Sequence, residues 1–493
     1  MKIAKIALLL SFVLVVALAF SSCGSQDELN DLKDRIEALE QENEELKGEI
    51  EDLKDNNSSS EGESNDVYVA ALDFYPLPDG TYGVKAGNTL YMDKIVIPEE
   101  YNGKPVTQIL PNAFENATNL TEIVIPNSIT SIDRRAFYNC SSLTGVIIPD
   151  SVTSIDMQAF YSCSSLTGVV IPDSVKIIQT GAFSYCSNLT SVVIPDSVTS
   201  IEWAFEGCSS LTSVVIPDSV TSISEGAFSS CTNITTATLP AYAISSIPKD
   251  SLTTVIITSG DSIGDEAFRD CTSLTSVVIP DSVTSIGDYA FLNCSSLTSV
   301  VIPDSVTSIG EGAFFGCTSL AGIEVDKNNQ LYKSIDGNLY SKDGKTLVQY
   351  AIGKKDTSFE IPNSVTSIGR DAFSSCTSLT SVVIPDSVTS IGSSAFYYCY
   401  SLTNVVIPDS VTFIGGYAFS NCSSLTSVVI PDSVTFIGWY AFYNCSSLTS
   451  VEFKDTNGWY RDSYSISSSD LANTSTAAQY LRSTYYYYTW TKN

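Results

Sequence analysis

Two residue types recur at a spacing that could support chemistry. Twelve cysteines, from Cys140 to Cys445, hold one position of a repeated unit, and Asp150, Asp173, Asp196, Asp218, Asp281, Asp304, Asp386, Asp409 and Asp432 hold another. Thiols one unit apart could pair as disulfides in an exported protein, or stack as buried free thiols. The earliest unit carries Ala117 at the cysteine position, so a small apolar side chain suffices there, which favours stacked thiols. Zinc is disfavoured, because the chain has no histidine and no C-x-x-C pair. Neighbouring carboxylates would stand near the separation used by retaining glycosidases, but every rung shares that spacing and no pair is singled out. Weak calcium binding is the other chemistry such a row could support. Asn127 and Asn363 take the same place, as expected where a side-chain oxygen caps a turn. No catalytic residue, cofactor or metal site is therefore assigned. Glycan hydrolysis would need one pair of carboxylates in surroundings unlike the rest.

The repeat itself must position these residues. The pair Ala-Phe recurs thirteen times, from Ala113-Phe114 to Ala441-Phe442; nine of the twelve gaps are 23 residues, one, containing Trp203, is 22, and two are longer. Such a period predicts a solenoid. Leu297, Val300 and Ile302 follow an L-x-x-L-x-L pattern and point inward from a short strand, while Val283, Ile286, Ala290, Phe291 and Cys294 complete the core of the coil. Pro280 and Asp281 end the strand and turn the chain. The expected fold is an α/β leucine-rich-repeat solenoid of 23-residue coils, each with one short strand and a short helical or irregular segment.

The motif I-P-x-S-V-x-x-I-x-x-x-A-F-x-x-C-x-x-L stands almost unchanged in most units and closely resembles the BspA-type, or treponemal-class, leucine-rich repeat family over residues 97–452. The resemblance extends to the segment NNQLYKSIDGNLYSKDGKTL and to a tail containing NGWY and AAQYL. It implies an exported or surface-anchored protein and, as in several such proteins, adhesion to host or community partners. The two longer gaps hold insertions near 235–260 and 324–360. In the second, Asp336-Gly337 and Asp343-Gly344 signal hairpin turns, predicting a two-stranded excursion. Residues 67–96 and 453–493 are expected to cap the ends, since terminal coils expose core and a strand edge.

Ahead of the coils, Lys2 and Lys5 precede an apolar run from Ile6 to Phe20, too short for a comfortable membrane span but suited to a signal peptide. Phe20-Ser21-Ser22-Cys23-Gly24 resembles a bacterial lipobox, with Phe20 in place of the usual leucine; it predicts a signal over 1–22 and lipid on Cys23. The alternative is cleavage after Ala17-Leu18-Ala19 and release into the medium. Within a stalk over 23–55, Leu29, Leu32, Ile36, Leu39, Leu46, Ile50 and Leu53 form a heptad seam with Asn43 at an a position, which favours a parallel homodimer through residues 29–53; a single solvated acidic helix is the alternative. Asn56 to Asp66 reads as a flexible linker.

A net charge of −30, from 55 acidic and 25 basic residues, argues against a nucleic-acid partner. Outward Thr and Ser on the strand face form a hydroxyl ladder that suits an extended partner or simple solubility. Variation concentrates near the C-terminal end as aromatics: Tyr397, Tyr398, Tyr400, Tyr417, Trp439, Tyr440 and Tyr443, with Phe413 and Phe436 replacing the serine seen at Ser308. Phe413 and Phe436 are expected to stand outward as a pair. The cluster is either a binding surface or the seat of the tail residues Tyr485 to Tyr488 and Trp490. The expected function is non-catalytic binding of an extracellular protein or glycan at the cell surface, with membrane contact through the lipid anchor alone. Self-association into an envelope layer is the structural alternative.

Overall fold

The computed structural model describes residues 71–492. The signal peptide, Cys23, the 29–53 seam and the linker lie outside the described residues. The chain forms two compact units, one ending at Ser259 and the other beginning at Gly260.

In the first unit, successive coils lay short strands in parallel, 23 residues apart. Val146 pairs with Val169 and Val169 with Val192 in one sheet, while Ile132, Ile155, Ile178 and Ile201 are in register in a second. Each coil thus carries two strands, such as Gly168–Val170 and Ile177–Ile178, where the sequence suggested one strand and a short helical or irregular segment. The Ser-Ile segment is long enough to pair only because the same two residues recur in the coils beside it. Helix is blocked in the remaining arc by left-handed residues on both sides of Ala-Phe, for example Gln158 and Ser162, both at φ 58°. The phenylalanines stack between coils from Phe114 to Phe228 at 5.0 to 5.7 Å, within a core of fully buried Val, Ile, Ala, Leu and Cys.

An antiparallel hairpin of Asp73–Pro76 and Tyr82–Lys85 edges the second sheet of this unit. The stretch near 235–260 is a coil of the stack rather than an appendage: Thr236–Leu239 pairs in parallel with Thr254–Ile257. Its length is 18 residues, the separation between Thr253 and the Thr235 carbonyl that accepts its hydroxyl. A 3-10 helix, Ala241–Ser246, replaces its second strand.

The second unit follows the same plan with two departures. Residues 324–360 hold a three-stranded meander, Tyr332–Ile335, Asn338–Ser341 and Thr346–Gln349, instead of the expected two strands. Its last strand rejoins the solenoid by pairing in parallel with Ser367–Ile368. Asp336 and Gly337, both left-handed at φ 50° and 68°, make the first turn. At the C-terminal end, Trp490–Lys492 pairs antiparallel with Phe436–Ile437 and with Trp459–Arg461. Trp459 and Trp490 are buried against Phe453, so the last coil's core is covered by indole rings. Two short helices, Ser468–Ala472 and Thr474–Gln479, pack on Ser450–Phe453.

Candidate functional site

The repeated turn that precedes and follows Ala-Phe places most of the aromatic residues. Tyr398, Tyr417 and Tyr440 sit at its left-handed positions, φ 56° to 60°, where a side chain larger than Asn or Gly is uncommon. Their rings form a continuous strip. Tyr397 lies 4.0 Å from Tyr398 and 6.0 Å from Tyr417, Tyr398 lies 5.5 Å from Tyr400, and Tyr417 contacts Tyr440 at 4.9 Å and Trp439 at 5.4 Å. Gly416 makes room for Trp439, because a β-carbon there would overlap the indole. Phe413 and Phe436 belong to the second strands and stack with each other; no ring contact joins them to the tyrosine strip among the described residues.

The tail divides the two alternatives left by the sequence. Tyr486 packs on Tyr440 and Tyr443 at 5.1 and 4.7 Å and accepts the Tyr440 N–H, and Arg482 donates to the Ser446 carbonyl. Trp490 enters the core instead, and Arg461 sits 3.8 Å from the centre of the Tyr485 ring. The tail therefore covers the last coil, while Tyr400 and Trp439 remain 46% and 52% exposed.

The ladders have structural partners. The described cysteines form no disulfides and are buried. Sγ of Cys140, Cys163, Cys294 and Cys445 donates to the carbonyl of Phe114, Phe137, Phe268 and Phe419 in the coil before, at 3.0 to 3.2 Å. Burial holds the Cys163 and Cys422 thiols well above the usual range and pushes Cys399 up to about 12. The threonine ladders donate in the same direction, Thr144 to Thr121 O and Thr307 to Thr284 O, so their protons are spent between coils. The Pro-Asp-Ser turn is held by the neighbours of its aspartate. Val152 N–H donates to Pro149 O, and Ser151 Oγ donates to Ile129 O of the previous coil. Asp218 does accept, from the hydroxyls of Thr258 and Ser259 beside the short coil.

Two carboxylates do stand in surroundings unlike the ladder, where the meander interrupts the second sheet. Glu311 accepts the Tyr289 hydroxyl at 3.0 Å and is ion-paired with Arg370, whose Nε is 3.9 Å from Asp371 Oδ2. Asp371 is 5% exposed, and Oδ2 accepts no hydrogen bond from any described residue. Burial raises its carboxyl to about 7, against the lowering pull of Arg370 and with help from Glu311. Glu311, Thr346, Gln349 and Arg370 line a cavity of about 220 Å³ beside it.

Residues 107–235, 176–255, 249–355 and 345–469 match the BspA type leucine rich repeat region in six copies, covering most of the chain. The chain belongs to the BspA-type leucine-rich repeat family. Among solved structures it is similar to a leucine rich cell surface protein from Faecalibacterium prausnitzii A2-165, at 29% identity over 78% of this chain and 93% of that one, with a TM-score of 0.36. The pneumococcal vaccine antigen PcpA matches at 17% identity over 78% and 85%, TM-score 0.36. A leucine-rich repeat protein from Bacteroides ovatus ATCC 8483 matches at 24% over 78% and 87%, TM-score 0.32. No curated protein sequence matches the chain.

One feature of these BspA-type coils escaped the reading of the sequence. The middle valine of Ser-Val-Val-Ile faces outward, and Val383, Val406 and Val429 are exposed, Val406 by 65%. Val383 and Val406 are strand partners, so apolar side chains run from coil to coil along the first sheet. The signal was present: alternation places Val301 outward once Val300 and Ile302 are inward.

Proposed function

We propose that this BspA-type protein is a non-catalytic binding protein of the cell surface, an adhesin that takes an extracellular protein or glycan on its coils. The observation that carries the reading is the partly exposed aromatic strip from Tyr397 to Tyr440, built at backbone positions that disfavour large side chains. Lipid on Cys23 would tether the chain to a bacterial membrane, and pairing through residues 29–53 would present two solenoids together, raising avidity for a multivalent surface. The charge of −30 favours basic patches on a protein partner, with affinity falling as salt rises. Binding of residues 67–493 to immobilised extracellular-matrix proteins and to a glycan panel, at low and physiological salt, tests this. Saturable binding to one class supports the adhesin, and silence across both rejects it.

Self-association in an envelope layer is favoured by the outward valine row, since exposed apolar rows are what a second copy would cover. Concentration-dependent assembly of the same residues, abolished by Val383→Thr with Val406→Thr, would support that reading.

A further inference from the structure

The four tryptophans of the chain fall into two kinds. Trp459 and Trp490 are buried, whereas Trp203 and Trp439 are exposed and each lies over a glycine of an adjacent coil, Gly226 and Gly416. Trp439 belongs to the aromatic strip. Trp203 lies in the other unit and has no part in that reading.

The setting of Trp203 comes from two breaks in the repeat. Its own coil is one residue short, and Trp203 takes the left-handed position before Ala204, at φ 46°. The same position in the next coil is Gly226, whose missing β-carbon lets the six-membered ring of the indole lie flat on the backbone. The 18-residue coil that follows then replaces a strand with the 3-10 helix Ala241–Ser246. Between these irregularities a groove of about 440 Å³ opens, lined by Trp203, Glu225, Ser229, Ser230, Ser245 and Pro248 among others. That volume falls within the range of small-molecule sites, about 300–1,000 Å³, whereas the cavity beside Glu311 falls below it.

The chemistry of the lining selects the ligand. Glu225 is the one charged group among the lining residues, and no lining side chain is cationic, so an anionic group would meet only repulsion. The serine hydroxyls donate and accept, and the carboxylate accepts from ligand hydroxyls. Trp203 is 48% exposed and presents an electron-rich face, to which the slightly positive C–H face of a pyranose ring is complementary. We infer that the Trp203 groove is a binding subsite for a neutral saccharide unit, stacked on the indole and hydrogen-bonded by Glu225 and the serines.

The test uses the full chain and neutral tetrasaccharides of β-1,4-linked glucose, β-1,4-linked N-acetylglucosamine and β-1,4-linked mannose, titrated while tryptophan emission is followed and repeated by calorimetry. One tetrasaccharide should bind saturably and perturb the emission. Trp203→Tyr should retain binding within a few-fold, and Trp203→Asn, which suits the left-handed backbone, should weaken it at least about tenfold. Glu225→Gln, a surface change that leaves the core untouched, should weaken it too and stands in if Trp203→Asn fails to fold. Trp203→Tyr should also lose the emission change while calorimetry still shows binding, which places the saccharide at this groove and not at Trp439 on the aromatic strip of the other unit. Absence of binding by all three tetrasaccharides, or affinity unchanged in Trp203→Asn and Glu225→Gln, overturns the inference.

Discussion

Phe413 and Phe436 are strand partners on adjacent coils, and their rings stack 4.7 Å apart within 9° of parallel on the outer face of the second sheet. Most other coils carry serine at this place, as at Ser390, so serine is known to satisfy the backbone there. The ring pair is thus an addition to the fold rather than a requirement of it. Phe413→Ser with Phe436→Ser should lower stability by about 0.5–1.5 kcal/mol, the worth of an aromatic pair, and weaken partner binding by at least about tenfold. Thermal melts with binding measurements check both, and unchanged binding removes the pair from the site.

The thiol ladder should be chemically silent. Burial raises Cys399 and Cys445 to about 12, so little thiolate exists there at pH 8, and burial of all twelve keeps reagents out. Iodoacetamide followed by mass spectrometry should leave the twelve cysteines from Cys140 to Cys445 unlabelled in the folded protein and label them all in denaturant. Disulfides found in the native protein would contradict the hydrogen bonds that thiols such as Cys140, Cys294 and Cys445 make to the preceding coil.

Asp371 should make the second unit less stable as pH rises. Its carboxyl is raised from 3.8 to about 7 in the folded chain, so the unfolded chain ionises first. The penalty is absent below about pH 4, grows to about pH 7 and is constant above, reaching at most about 4 kcal/mol. Asp371→Asn, compatible with φ 56°, should therefore raise the melting temperature at pH 8 and change it little at pH 4. Equal effects at both pH values would show that this carboxyl is not neutral in the fold.

Trp490 closes the C-terminal end of the core, together with Trp459 and Phe453. Trp490→Ala should cost about 3–5 kcal/mol and loosen the antiparallel strand that protects the edge at Phe436–Ile437. Denaturant melts should show the loss, and size-exclusion chromatography should show new oligomers.

The sequence alone determined the coil. A 23-residue period forces equivalent residues onto one another, so the inward Leu, Val, Ile, Ala and Phe, the stacked cysteines and the outward Phe413 and Phe436 could be named from spacing. Identical neighbours make local pattern sufficient, because each coil packs on a copy of itself. The tertiary structure decided what happens where neighbours differ. Pairing of Ser-Ile between coils became a second strand, since strand identity depends on a partner and not on the segment. Arg370 reaches Glu311 across 59 residues because the meander lies between their coils, and Tyr486 reaches Tyr440 because the tail doubles back on the last one. Trp203 meets Gly226 where one coil is a residue short. Such contacts join residues from unlike segments, and no periodic rule relates them; only the path of the folded chain brings them together.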